Sequence, residues 1–458
     1  MSAVDGTHDA APGGPGDDVP LGTALVMAAL GAAAIAQGAY HRDGQILTGI
    51  LLVVAVVSAF RDRRVPVDDL RSPPFVIAAL LAAWTVVSAV ASGDITAAGP
   101  PLLLLSGCVV AAALCRGAGD AATVGLLVLG ALVALSGLVG VAWRIEPWAL
   151  EGLGVWQAAT TLSYANAAAG LLVPVLLLAA SRLASLPRSA VTAAVTCLLL
   201  VAVGATLSRG GALALVVGLC VLARSVGVRP LASGVMWPAV GAAVALAALV
   251  PSMVATRPPM PWLAVAGLGA GVLAAAGSAR PGWPPAATGA LVAVLVAMAC
   301  VLGISGVASD ALSAGRRTRL TLGSADRVDE AGAALRVGAA HPVVGAGPGR
   351  ASLTWESDGT RFAARYAHNE YLQTFAELGA VGLVIVLALV ASIGSAARRR
   401  LAVRSDFVRA GAAAGLAALA VHSGLDFLWH VPAIPLLGAV LVGLSCLPVT
   451  RRPSPAHL

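Results

Sequence analysis

"RYAHNEYLQTFAELGAVGLVIVLALV", residues 365–390, opens on arginine, histidine, asparagine and glutamate and passes without a break into a run that only lipid would solvate. A helix needs about 20 apolar residues to cross a bilayer, and the apolar half supplies them when followed to residue 395. Charged and amide side chains are costly near that depth unless they have a task. The stretch therefore raises two expectations: a membrane bundle, and a polar site at the mouth of one of its helices.

The remaining sequence agrees with the first expectation. Of 458 residues, 59% are hydrophobic and 11% charged, and the mean hydropathy of +0.90 lies outside the range of soluble domains. Apolar runs bounded by Arg, Pro, Gly or Asp mark candidate spans near 21–40, 45–60, 73–92, 98–115, 119–142, 162–181, 189–207, 211–225, 233–250, 261–277, 285–305, 373–395, 407–424 and 431–448. The expected fold is an all-α polytopic integral membrane protein with about 12–14 transmembrane helices. Residues 1–20 hold four aspartates, no arginine and many Gly and Pro, and read as a disordered cytoplasmic tail. Residues 21–305 form an N-terminal membrane bundle of about eleven helices, 306–372 an external loop, 373–448 the C-terminal membrane helices and 449–458 a second cytoplasmic tail. The loop is too small for a strong core of its own and is expected to cap the bundle with short helices. The six cysteines lie in or beside apolar runs without C-x-x-C spacing, which favours packing over disulfides or metal.

Arginine tests the topology, since the chain has no lysine. With a cytoplasmic N-terminus, inner loops hold seventeen arginines and short outer loops four: Arg42, Arg144, Arg209 and Arg257. Cationic residues in short loops favour the inside, so both termini are expected in the cytoplasm and the protein in the cytoplasmic (inner) membrane.

Within the loop, "SADRVDEAGAALRVGAAHP" reads as a helix capped by Ser324 or Asp326 and stopped by Pro342, and "GAGPGR" as a turn rather than a phosphate loop. "TRFAARYAHNEYLQTFAELG" reads as a second helix leading into the membrane, with Arg361, Arg365, His368 and Leu372 on one face. Snorkelling to headgroups accounts for Arg361 and Arg365 but less well for His368, Asn369 and Glu377. Arg209 precedes another span, Arg327 opens the loop helix, and "HSGLDFLWHVP" places Asp426 and His430 in the last outer turn. An aspartate there would orient His368 or an acceptor hydroxyl, or only cap a helix. Arg209, Arg327, His368 and Asp426 come from separate segments that map to one face. Guanidinium groups there suit a diphosphate, and histidine suits proton transfer from a sugar hydroxyl. A transporter or flippase of lipid-linked sugars is the alternative, but such proteins place polar groups near the midplane, where this chain is nearly pure Ala, Val, Leu and Gly.

These motifs resemble the O-antigen ligase and polymerase superfamily. "YAHNEYLQTFAELGAVGL" is similar to its His-Asn-x-x-Leu-Gln helix, "TLSYANAAAGLL" to its Asn-x-Asn-Ala span, with Tyr164 in place of the first asparagine and Asn166 kept, and "LSRGGALAL" to its Ser-Arg-Gly element. "DRVDEAGAALRVGAAHPVVGAGPGR" resembles its loop, without the tryptophan usual after the arginine, and "HSGLDFLWHVPA" its His-Ser-x-x-Asp-Phe turn. The resemblance spans roughly residues 160–445. It implies a GT-C-like inverting glycosyltransferase without metal or other cofactor, embedded in the bilayer, taking a polyprenyl-diphosphate-linked glycan donor and a glycan or lipid acceptor, with no nucleic acid. It further implies diphosphate contacts from Arg209 and Arg327, joined by Arg365, and a catalytic His368 supported by Asn166, Asn369, Glu377 and Asp426.

Overall fold

The computed structural model describes residues 20–61, 71–116, 118–279, 325–357, 359–403 and 406–446. Helices form where the apolar runs lie: α1 Leu21–Ile35, α2 Arg42–Arg61, α3 Pro73–Ala91, α4 Gly99–Cys115, α5 Gly119–Trp143, α6 Ala165–Ser185, α7 Ala190–Thr206, α8 Arg209–Val226, α9 Val228–Met253 and α10 Pro261–Ser278. After them come α11 Ala325–Ala340, α12 Glu370–Val403, α13 Phe407–Ser423 and α14 Ala433–Cys446. Among the described residues, nine helices are long and apolar enough to cross a membrane, and α1, α7, α13 and α14 are shorter apolar helices. The expected span 285–305, residues 1–19 and 447–458, Cys300 and Ser324 lie outside the described residues.

The bundle is built around α6, which is buried on all sides and packs on α5, α7, α8, α9, α13 and α14. Small residues allow close crossings without a strong hydrophobic drive between helices in lipid. At the α9–α10 contact, a Cβ on Gly241 would meet the Gly271 carbonyl oxygen at 2.3 Å, so neither helix tolerates a side chain there. Among the described residues, α12 and α8, followed by α2 and α4, are the most exposed of the long helices.

Alternate connections gather at opposite ends of the bundle. One end collects the α1–α2, α3–α4, α5–α6, α7–α8, α9–α10 and α13–α14 links, joined by contacts such as Arg350 to Asp94 at 3.5 Å, Arg144 to the Val254 carbonyl at 2.7 Å and Tyr164 to Asp426. Trp143 and Trp262 pack edge to face at this end, as expected of an interfacial aromatic belt. The other end carries Arg61, Arg116, Arg182, Arg224 and Arg398–Arg400, with Arg182 bonded to Asp120 across the α6 and α5 termini at 3.0 Å.

Two antiparallel hairpins depart from the helical expectation. Strands β1 Ala149–Gly152 and β2 Val155–Ala158 turn through Leu153 and Gly154, both at positive φ. Strands β3 Leu353–Ser357 and β4 Thr360–Ala364 pair so that Trp355 faces Phe362, their rings stacked at 5.8 Å. The expected second helix is thus corrected. Arg361 lies on β4, residues 365–369 form a loop, and α12 begins only at Glu370, so Arg361, Arg365, His368 and Leu372 share no helical face. The reason is local: Asp358-Gly359 is a hairpin turn signal, and the Asn369 side chain accepts from the Tyr371 and Leu372 N–H groups, capping the helix at that point.

α12 breaks at Gly379 (φ 68°, ψ −171°), and the glycine turn explains how. The freed carbonyls of Ala376 and Glu377 accept from the Ala346 and Gly347 N–H groups at 2.9 and 3.0 Å, and that of Leu378 from the Trp84 indole at 2.9 Å. In return the Ala380 N–H donates to Pro342 at 2.8 Å. The 341–350 loop therefore replaces the helical hydrogen bonds that lipid cannot supply. α11 ends at Ala340, just before the expected stop at Pro342.

Candidate active site

Asp426 lies at the centre of the end where the alternate links meet. It follows α13, is 1% exposed, and is held from α6: the Tyr164 hydroxyl lies 2.8 and 2.9 Å from its two oxygens, and the Asn166 amide also donates to it. The Phe427 N–H adds a bond at 2.9 Å, and Arg327 of α11 approaches to 3.7 Å. Burial pushes the Asp426 carboxyl above the usual carboxylate range, and His368, Tyr164, Arg327 and the Phe427 N–H draw it back. Burial, with Asp426 beside it, pushes the Tyr164 phenol up, which keeps it a donor.

Arg209 enters from the first turn of α8, which Ser208 caps by accepting from the Gly211 N–H at 3.0 Å. Arg209, Arg327, Asn166 and Asp426 line one cavity of about 230 Å³ together with Gly152, Leu153 and Gln157 of the β1–β2 hairpin. A neighbouring cavity of about 180 Å³ is lined by His368, Asn369, Leu372, Ala331 and Gly424. Arg327 and Leu425 belong to both, so Arg327 borders an arginine-lined space and a histidine-lined one.

His368 reaches its cavity from the loop before α12. Its Nδ1 lies 2.5 Å from Glu330 Oε2, and its ring meets Phe427 edge-on with centroids 5.2 Å apart. Asp426, one expected partner of His368, is instead committed to Tyr164, Asn166 and Arg327. Glu330 was not singled out in the sequence, although it follows Arg327 by three residues on an expected helix and so shares its face. Tyr164, which departs from the family pattern, bonds the same carboxylate as Asn166.

Arg209, Arg327, His368, Asn166, Asn369 and Asp426 thus meet around the two cavities. Arg365 does not: its guanidinium lies 5.2 Å over the Tyr366 ring, and it lines neither space. Glu377 accepts from Gln373 at 2.6 Å beside the α12 break and is likewise outside both. A second buried polar pair lies behind Phe427, where His430 Nδ1 is 3.4 Å from Glu370 Oε1 and its ring lies against Tyr366 with centroids 3.9 Å apart.

Two guanidinium groups on one side and an imidazole on the other can hold a bound anion and accept a proton within the same site. A search of curated proteins finds no match for the chain. The family model described as O-antigen ligase matches residues 252–387, a stretch that carries Arg327, Glu330, His368 and Asn369, so that part of the chain is similar to the O-antigen ligase family.

Proposed function

We propose that this O-antigen ligase-like or polymerase-like membrane enzyme transfers a glycan from a polyprenyl-diphosphate donor to an acceptor hydroxyl at the outer face of the cytoplasmic membrane. The observation that carries the reading is the shared wall: Arg327 borders both the arginine-lined cavity and the cavity of His368. The donor diphosphate occupies the first, where Arg209 and Arg327 meet its oxygens, and the acceptor hydroxyl the second. His368 takes the hydroxyl proton as the oxygen attacks the anomeric carbon from the side opposite the diphosphate. The bond from carbon to diphosphate oxygen breaks, the configuration inverts, and the arginines stabilise the charge on the departing lipid diphosphate. Asp426, fixed by Tyr164 and Asn166, holds Arg327 in the partition.

The orientation follows from charge. The arginine-rich end of the bundle lies opposite the site, and positive residues favour the cytoplasm, which turns the cavities outward with both termini inside. The polar groups collect at one end rather than at mid-bundle, which weighs against a transporter or flippase of lipid-linked sugars.

The test is reconstitution. Purified protein in liposomes, given an undecaprenyl-diphosphate-linked glycan and candidate acceptors, is expected to release undecaprenyl diphosphate in step with glycosylated product. Movement of intact donor across the bilayer without its consumption would contradict the proposal.

A further inference from the structure

We propose that Glu330 is a positioning residue for the base: it holds His368 through Nδ1 and thereby makes Nε2 the nitrogen offered to the acceptor hydroxyl. The inference rests on the reading of His368 as base. Glu330 is buried, 7% exposed, and its Oε2 lies 2.5 Å from Nδ1. The charged groups around this imidazole are Glu330 and Arg327 from α11 and Asp426 from the α13–α14 link, and of these Glu330 stands at hydrogen-bonding distance. Phe427 closes another side of the ring edge-on.

A neutral imidazole carries its proton on either nitrogen, and the bond made by one nitrogen decides the role of the other. A carboxylate against Nδ1 keeps the proton there and leaves the lone pair on Nε2. When the acceptor oxygen bonds to the anomeric carbon, its proton passes to Nε2, and the C–O electron pair leaves with the lipid diphosphate. The imidazolium keeps its Nδ1–H bond to Glu330, and the Nε2 proton passes to the departing diphosphate or to water. Arg327 and Glu330 lie three residues apart on α11, so a single docked helix supplies both the guanidinium beside the diphosphate and the carboxylate behind the base.

The experiment uses full-length protein in liposomes with undecaprenyl-diphosphate-linked glycan as donor, and measures kcat, donor KM and Tm for Glu330→Leu, Glu330→Gln and His368→Ala. Glu330→Leu is expected to lower kcat about tenfold or more with donor KM within about twofold. Glu330→Gln is expected to fall between it and wild type, because an amide serves either tautomer. Wild-type kcat in Glu330→Leu, or a loss confined to donor KM, overturns the inference. If Glu330→Leu loses Tm, Glu330→Gln decides alone, and wild-type kcat in that isosteric variant overturns it. Active His368→Ala refutes the functional reading itself, whereas inactive His368→Ala beside fully active Glu330 variants refutes this inference only.

Discussion

Asp426 sets the energetics of the site at the scale of single residues. A buried carboxylate persists only when paired and hydrogen-bonded, and removing one partner leaves a cost of about 1–3 kcal/mol for each unmet bond. Tyr164→Phe removes a hydroxyl that meets both carboxylate oxygens while keeping the ring stacked on Phe427 at 5.1 Å. It is expected to lower transfer about five- to tenfold through a loosened Arg327, with Tm reduced by a few degrees, both read on the purified variant. His430 gives a pH signature. Burial lowers its proton affinity, but the Glu370 carboxylate outweighs burial and leaves the imidazole above its usual 6.5. The folded state therefore binds this proton more tightly than the unfolded chain does. That stabilisation is present below pH 6.5 and is lost as pH rises through the folded value. Thermal unfolding between pH 6 and 9 is expected to show a steeper loss for wild type than for His430→Gln; equal slopes would remove His430 from the account. Arg209, His368, Asn369 and Asp426 were legible in the sequence because polar groups interrupt text that is otherwise apolar. Glu330 was not, since an acidic residue in a polar helical stretch offers no such contrast, and Arg365 lines neither cavity because the helix expected to carry it is a loop.

At the scale of elements, short-range turn chemistry outweighs helical periodicity where the second helix was expected to start. The β3–β4 pairing and the Asn369 cap cut the long helix expected from residue 360 into a hairpin, a loop and α12. The loop conformation is what carries His368 toward Glu330, so the misplaced helix start mattered for the site. The break at Gly379 was also illegible, because Leu378-Gly379-Ala380 reads as an ordinary helical run. The distant 341–350 loop, Trp84 and Ser88 stabilise the break by donating to its carbonyls. At Gly379 the backbone lies at φ 68°, and an added Cβ would stand 2.2 Å from the Val343 carbonyl oxygen. Gly379→Ala is therefore expected to destabilise the protein by about 2–4 kcal/mol and to lower its Tm in detergent; an unchanged Tm would mean that the break is not needed.

Across the whole molecule, composition and arginine distribution carried the architecture. Helices occur at thirteen of the fourteen expected spans, and the fourteenth, 285–305, lies outside the described residues. The excess of arginine in the short loops opposite the cavities, seventeen against four, predicts sidedness. Leu153, at the β1–β2 tip, is 78% exposed and borders the arginine-lined cavity. In intact cells Leu153→Cys is expected to react with a membrane-impermeant maleimide against the background of the unmodified protein; labelling only after permeabilisation would invert the topology. The tertiary gathering of five separated segments around Arg327 was not readable, because sequence spacing reports which end of the bundle a loop occupies and not which loops touch there.

The proposed division of labour between the two cavities is tested most directly by paired binding and turnover measurements on His368→Ala and Arg209→Ala. His368→Ala is expected to bind undecaprenyl diphosphate with wild-type affinity while losing transfer by about 100-fold or more. Arg209→Ala is expected to lose binding as well as transfer. Transfer by His368→Ala at the wild-type rate, or binding of the lipid diphosphate by Arg209→Ala at wild-type affinity, would contradict the account.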